Sequence, residues 1–277
     1  MKLASRPTPF SADAVTVASG RVLGVVPARL ASKRLPGKPL HPIAGRPLIA
    51  WVWERVATLD ALDACVVATD SEAIAETCRI LDAPVVLTSP AHVSGTDRVA
   101  EVAGGEEFAN YEIVVNVQGD EPFVTNEQVG AAVQQVRQGC DVGTVATPVR
   151  SLEAWIDPAV VKVARRSDGA ALYFSRAPIP WKRDGEPDER ELASDAFLRH
   201  VGVYAFTRRA LARWASLPAG ELEEIEKLEQ LRPLAAGFRI GLGIVSHAEN
   251  GIDTIEDARR AEARLRARSQ RIISTGR

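Results

Sequence analysis

The sequence predicts an α/β fold: one domain with a mostly parallel mixed sheet and a smaller β-rich inserted region. Three observations carry this. Through the first half, short runs rich in Val and Ile alternate with helical patterns, an order that needs crossover connections and parallel strands covered on both faces. In the second half the alternation gives way to consecutive extended runs flanking Asp168-Gly169, a hairpin signal. The chain has 277 residues, 46% of them apolar and 25% charged, which is an ordinary globular composition with enough length for one substantial core.

The elements follow in order. Residues 22–26 form an apolar strand, and residues 48–59 a helix with one apolar face and Trp51 and Trp53 near its start. A strand at 64–69 leads into a helix at 71–81 capped by Asp70 or Ser71. A short strand at 84–87 precedes a helix beginning at 96–102, with Ser94 or Thr96 as its cap. Residues 111–117 are a strand and 126–137 a helix. Beyond these, 142–149 and 160–164 read as extended, and 170–174 pairs with the latter run. Residues 181–195 are polar, contain Gly185 and Pro187, and read as a long loop. A strand at 201–206, a continuous helix at 223–234, a strand at 238–245 and a charged helix at 254–268 complete the chain. The domain is expected over 21–268 with its insert at 150–206, after a disordered extension at 1–20 and before a tail at 269–277. The first 20 residues hold no continuous apolar stretch of the kind a signal peptide needs.

Composition excludes several classes. Net charge is −2, so no general affinity for nucleic acid is expected. No apolar run approaches the ~20 residues needed to span a bilayer. Cys65, Cys78 and Cys140 are odd in number and lack metal-ligand spacing, which fits reduced, mostly buried thiols of a cytoplasmic protein.

The chemistry concentrates at strand ends. After the first strand comes Pro27-Ala28-Arg29-Leu30-Ala31-Ser32-Lys33-Arg34-Leu35-Pro36-Gly37-Lys38-Pro39-Leu40. Its four cations, Arg29, Lys33, Arg34 and Lys38, repel one another unless a polyanion such as a nucleoside triphosphate fills the loop. The carboxyl end of a strand is where open α/β sheets bind ligands. Neither a G-x-x-x-x-G-K-[ST] loop nor a G-x-G-x-x-G fingerprint follows the strand, which leaves a nucleotidyltransferase-type loop gripping the phosphates that depart as pyrophosphate. The strand at 111–117 ends in Gln118-Gly119-Asp120-Glu121-Pro122. Here Asp120 is either a turn residue capping the next helix or a magnesium ligand, and the basic loop favours the ligand. Gly251-Ile252-Asp253-Thr254-Ile255-Glu256-Asp257 has the form of a helix start, with Asp253 or Thr254 as cap.

The basic loop resembles the signature of the 3-deoxy-manno-octulosonate (Kdo) cytidylyltransferases, Pro-Ala-Arg followed by Ser-x-Arg-Leu-Pro-Gly-Lys-Pro-Leu. The resemblance continues through His92-Val93-Ser94-Gly95-Thr96-Asp97-Arg98, Ala171-Leu172-Tyr173-Phe174-Ser175-Arg176-Ala177, Phe197-Leu198-Arg199-His200-Val201-Gly202-Val203-Tyr204 and Glu226-Lys227-Leu228-Glu229-Gln230-Leu231-Arg232. It implies a Rossmann-like nucleotidyltransferase domain that transfers CMP from CTP to the anomeric hydroxyl of Kdo, activating that sugar for lipopolysaccharide biosynthesis. It further implies Mg2+ on Asp120 and Asp253, catalytic roles for Arg29, Lys38, Asp120 and Asp253, and triphosphate neutralisation by Arg34. Ser94 and Gln118 fall at substrate-binding positions, with Ser94 near the cytosine. Arg176 would bind the sugar carboxylate, and His200, Tyr204, Glu229 and Gln230 the sugar. A homodimer formed around residues 181–195 is implied as well. The alternatives are a cytidylyltransferase for another 2-keto sugar acid, of the sialic acid or 8-amino Kdo type, and a nucleotide-binding homologue without turnover.

Overall fold

The structure is a computed structural model that describes residues 20–275 apart from residue 33, with side chains described as far as residue 266. The expected N-terminal extension, except Gly20, lies outside the described residues.

In chain order the first elements are β1 (Arg21–Ala28), a 3-10 turn (Lys38–Leu40), the small pair β2 (Pro42–Ile43) and β3 (Arg46–Pro47), and α1 (Leu48–Val56). Next come β4 (Ala64–Thr69), α2 (Glu72–Ile80), β5 (Val85–Leu87), α3 (Gly95–Gly104), β6 (Tyr111–Asn116), α4 (Asn126–Arg137) and β7 (Val142–Pro148). The second half contributes α5 (Leu152–Ile156), β8 (Lys162–Arg165), β9 (Ala171–Ser175), α6 (Glu189–Leu192) and β10 (Leu198–Thr207). The chain closes with α7 (Arg208–Ser216), α8 (Glu221–Glu226), α9 (Leu231–Ala235), β11 (Ile240–Ile244) and α10 (Ile255–Thr275).

The main sheet runs β11-β7-β10-β6-β1-β4-β5, with β8 added against β10 and β9 against β8. Strand β1 is central: Val25 lies beside Val66 of β4 on one side and Asn116 of β6 on the other, both in parallel. β11 is parallel to β7, and β10 is antiparallel to both β6 and β7, which makes the sheet mixed. β8 and β9 form the expected antiparallel hairpin around Asp168-Gly169. From β1 the chain winds outward to β4 and β5 and then returns to β6 on the opposite side. The carboxyl ends of β1 and β6 therefore flank the crevice where the winding reverses, the place this topology offers to a ligand.

Side-chain alternation builds the two layers. Val22 and Val26 of β1 and Ile113 and Val115 of β6 join the apolar faces of α1, α2, α4 and α10 in one core. Leu23 and Val25 with Val114 pack against α3, α7 and Leu231 of α9 in the other. Burial on both faces explains why these strands read as near-continuous apolar runs. Capping residues fix the helix starts. Ser94 and Asp97 form a reciprocal capping box at α3, and Thr125 and Gln128 do the same at α4.

The structure departs from the sequence reading in the second half. The stretch expected as one helix over 223–234 is broken, because Lys227 takes a left-handed conformation (φ 52°, ψ 47°) that ends α8 before α9 begins. The stretch expected as a loop over 181–195 contains α6, started by Asp188, whose carboxylate accepts from the backbone N–H groups of Arg190 and Glu191. Helices α5 and α7 were not expected. Ser151 and Thr207 cap them, and each presents a buried tryptophan, Trp155 and Trp214. α10 runs to Thr275, past residue 268, since neither Gly nor Pro interrupts its sequence.

Candidate active site

The loops after β1 and β6 meet the start of α10 in a cleft of about 770 Å³, lined by Arg29, Arg34, Lys38, Ser94, Gln118 and Asp120 among others, with Asp253 on its wall. Close backbone approach makes this possible. A Cβ on Gly119 would lie 2.6 Å from the carbonyl oxygen of Pro27, so only glycine lets the β6 loop pass this near the β1 loop.

Lys38 sits at the centre. Its Nζ donates to Asp120 Oδ2 at 2.5 Å and to Asp253 Oδ1 at 2.9 Å. Arg34 Nη2 pairs with the other oxygen, Asp253 Oδ2, at 3.0 Å. The side chains of Lys38 and Asp120 are 17% and 22% exposed, so this pair is shielded from solvent, whereas Arg34 at 66% is free to reorganise. Burial disfavours the Lys38 ammonium, but Asp120 and Asp253 outweigh it and hold its pKa above the usual lysine value. Next to Asp120, the Glu121 carboxyl is pushed up to about 8 by burial, with the Asp120 charge acting the same way. Arg29 reaches across the cleft mouth and donates from Nη1 to the Val93 carbonyl at 3.2 Å.

The donor set suits a hard divalent cation. Asp120 and Asp253 present carboxylate oxygens to one point, at present facing the Lys38 ammonium. No cluster of three or more potential metal ligands exists among the described residues. Two carboxylates that leave the remaining positions to phosphate oxygens and water are what Mg2+ favours over a full protein cage.

Ser94 caps α3, accepting from the Asp97 N–H at 3.1 Å while its hydroxyl donates to Glu229 Oε1 at 2.9 Å. Burial raises the Glu229 carboxyl pKa, and the Ser94 and Thr96 hydroxyls partly offset this. The start of α3 and the α8–α9 segment are thus joined through Glu229. Gln230 is buried beside Glu229.

The remaining expected sugar residues lie beyond the residues lining the cleft. The Arg176 guanidinium donates to the carbonyls of Glu226 (2.7 Å), Pro158 (2.9 Å) and Lys227 (3.4 Å), while its backbone N–H donates to Glu226 Oε2. His200 and Tyr204 are neighbours on β10, with ring centroids 5.3 Å apart. His200 Nε2 lies 2.9 Å from Thr144 Oγ1, and its ring packs edge-on to Phe174. Burial, reinforced by the Arg199 charge, pushes the His200 pKa down to about 3, so the imidazole is neutral. Burial likewise lifts the Tyr204 phenol well above its ordinary value.

Sequence reasoning passed over three residues. Arg98 lines the cleft although it is 2% exposed, held by Asp70 Oδ2 at 2.9 Å and by Thr88 Oγ1. Its signal is an arginine on the apolar side of a helix whose neighbours Val99 and Val102 are core. Lys162 is fully buried, its ammonium donating to the carbonyls of Asp157 (2.7 Å), Val160 (2.6 Å) and Arg176 (2.7 Å). Arg199 donates to the Asn250 side chain and the Ala248 carbonyl.

Comparisons with known proteins place the chain as a whole. Residues 23–241 match the Cytidylyltransferase family. The 3-deoxy-manno-octulosonate cytidylyltransferase of Gemmatimonas aurantiaca is 49% identical over 241 residues, covering 87% of this chain and 92% of that one. Its counterpart from Xanthomonas oryzae is 46% identical over 245 residues, covering 87% and 94%. A solved CMP:2-keto-3-deoxy-manno-octonic acid synthetase complexed with CTP superposes with a TM-score of 0.81 at 34% identity, covering 90% of this chain and 99% of that one. A 4-diphosphocytidyl-2C-methyl-D-erythritol synthase from Anaerococcus prevotii shares the fold alone, at TM-score 0.57 and 16% identity. With residues 23–241 matched by the family model and a 49% identical relative covering 87% of its length, the chain belongs to the cytidylyltransferase family, among the 3-deoxy-manno-octulosonate cytidylyltransferases.

Proposed function

We propose that the protein transfers CMP from CTP to the anomeric hydroxyl of Kdo and releases pyrophosphate. The observation that carries this reading is the convergence of Asp120 and Asp253 on Lys38 in a cleft also lined by Arg29 and Arg34. The sugar hydroxyl attacks the α-phosphorus; an O–P bond forms, the bond to the bridging oxygen of the β-phosphate breaks, and the hydroxyl proton is lost. Arg29, Arg34 and Lys38 neutralise the triphosphate and the departing pyrophosphate, and their work is alignment and charge stabilisation. Asp120 and Asp253 would hold Mg2+, which supplies charge stabilisation at the phosphate oxygens and acidifies a bound hydroxyl. Ser94 and Gln118, which line the same cleft, are the further substrate-binding residues, with Ser94 near the cytosine. Arg176, His200, Tyr204, Glu229 and Gln230 form the sugar-facing set, which requires the Arg176 guanidinium to exchange a backbone carbonyl for the sugar carboxylate.

The same reading takes the protein as a cytoplasmic homodimer. Three free cysteines support the compartment. Trp181, 73% exposed and stacked on Trp155, supports a contact surface at the 181–195 segment. Pyrophosphate release measured with CTP, ATP and GTP against Kdo, 8-amino Kdo and sialic acid tests the function. Turnover is expected with CTP and Kdo, and a preference for another sugar acid would reassign the substrate.

A further inference from the structure

Asp253 stands at the end of an irregular stretch. Between β11 and α10 the chain runs from Val245 to Thr254 without helix or strand, yet it must deliver one carboxylate oxygen to within 2.9 Å of Lys38. A carboxylate on an unsupported loop would not hold that geometry, so the supports matter. One is a backbone hydrogen bond from the Ile252 N–H to the Asp120 carbonyl at 2.9 Å, which ties the two aspartate loops together. A second is steric: a Cβ on Gly251 would meet Glu121 Oε1 at 2.9 Å, so the Glu121 carboxyl lies directly against this backbone.

The third support is Arg199. It is rooted in β10, opposite Thr147 of β7 and Lys162 of β8, and so has a fixed origin inside the main sheet. Its guanidinium spans the irregular stretch: Nη1 donates to Asn250 Oδ1 at 3.1 Å, and Nη2 donates to the Ala248 carbonyl. Burial lowers the pKa of this half-buried guanidinium, and the Glu249 carboxylate, joined by Glu121 when that group is ionised, acts against the shift. Two prongs from one planar group fix both the position and the direction of the loop, and a point-charge ammonium cannot reproduce that.

We infer that Arg199 is the positioning residue for Asp253: by clamping Ala248 and Asn250 to the sheet it sets the spacing between the Asp253 and Asp120 carboxylates, and so the affinity of the pair for a divalent cation on the nucleotide. Arg199 is not among the residues lining the cleft, and its guanidinium is engaged by Asn250 and Ala248. The inference rests on the proposed reading that Asp253 is a cation ligand.

The test is direct binding of Mn2+, followed by electron paramagnetic resonance in the presence of CTP, for the wild type, Arg199→Lys, Arg199→Gln, Asn250→Ala and Asp253→Asn. Thermal melts monitor folding. Arg199→Lys is expected to melt close to wild type and to bind Mn2+ about tenfold more weakly, with KM for Kdo unchanged and lost turnover restored by excess Mg2+; Asn250→Ala, which removes one prong, is expected to show a smaller loss of the same kind. If Arg199→Gln fails to fold, Arg199→Lys and Asn250→Ala carry the result. Wild-type Mn2+ affinity in folded Arg199 variants, with Asp253→Asn impaired, overturns the positioning role alone. Wild-type affinity in Asp253→Asn overturns the cation-ligand reading, and the inference with it.

Discussion

Lys38 holds two carboxylates that lie 82 and 215 residues away in the sequence, at 2.5 and 2.9 Å. The chain's spacing contained no sign of that meeting. Asp120 was legible as a carboxylate at a strand end, but Asp253 could be read from its own surroundings only as a helix cap, and only the resemblance gave it more. The arrangement sets the first prediction. Asp120→Asn and Asp253→Asn are each expected to lower kcat by about a hundredfold or more while shifting thermal unfolding little, because the loss falls on charge stabilisation of the reacting phosphates. Near-wild-type turnover at saturating magnesium in either variant would reduce that residue to a turn or cap. Arg176 carries a second prediction with two readouts. Its guanidinium already satisfies three backbone carbonyls, so Arg176→Lys is expected to lower the melting temperature as well as to raise KM for Kdo by about tenfold, leaving KM for CTP unchanged. A lowered melting temperature with KM for Kdo unchanged would make Arg176 a staple between β9 and α8 and nothing more.

Elements were legible where local chemistry and burial agree. The bounds of β4 and α4 are those read from the sequence, because a run of small and β-branched residues defines one and the Thr125–Gln128 capping box opens the other. Where local rules conflict with tertiary demands, legibility fails. Residues 223–226 carry good helix formers and neither Gly nor Pro stands at the left-handed Lys227, but Pro233 is a local sign against one helix over 223–234 and falls instead in the first turn of α9. Tertiary contacts fix the rest of the geometry: Glu226 binds Ser175 and the Arg176 N–H, and Glu229 binds Ser94, on either side of the left-handed Lys227. A β-branched residue resists that backbone region most strongly. Lys227→Val is therefore expected to destabilise the protein by roughly 1–2 kcal/mol in urea unfolding, and Lys227→Gly to be nearly neutral. Equal stabilities for the two variants would mean that the left-handed conformation is not required. Ser94 tests the link between the two segments. Ser94→Ala removes the α3 cap and leaves Glu229 without this donor, so a loss of about 1–2 kcal/mol is expected, and Ser94→Thr should recover most of it.

At the scale of the whole molecule, two titratable groups, Glu121 in the turn after β6 and His200 on β10, give the stability a pH profile. The sequence placed both in motifs yet could not show their burial, since that comes from β8 and β9 closing over β10 and from the 251–253 loop closing over Glu121. Burial lowers His200 from an ordinary 6.5 to about 3 and raises Glu121 from 4.5 to about 8. The signs differ. Between pH 3 and 6.5 the unfolded chain protonates His200 and the fold does not, so this group makes stability rise with pH; between 4.5 and 8 the fold keeps the Glu121 proton and the unfolded chain releases it, so that group makes stability fall with pH. Each slope is at most about 1.4 kcal/mol per pH unit. The two oppose each other from 4.5 to 6.5, leaving a plateau there, a falling limb above it and a rising limb below it. The acid limb is shared with carboxylates such as Glu223, which Arg232 holds below the usual range, so the alkaline limb is the cleaner measure. Urea midpoints recorded from pH 3 to 8 should show that limb in the wild type; Glu121→Gln should flatten it and carry the rising limb on to about pH 6.5, while His200→Gln should reduce the acid limb and carry the falling limb down to about pH 4.5. An alkaline limb that persisted unchanged in Glu121→Gln would place the titrating group elsewhere and leave Glu121 ionised against the Asp253 loop.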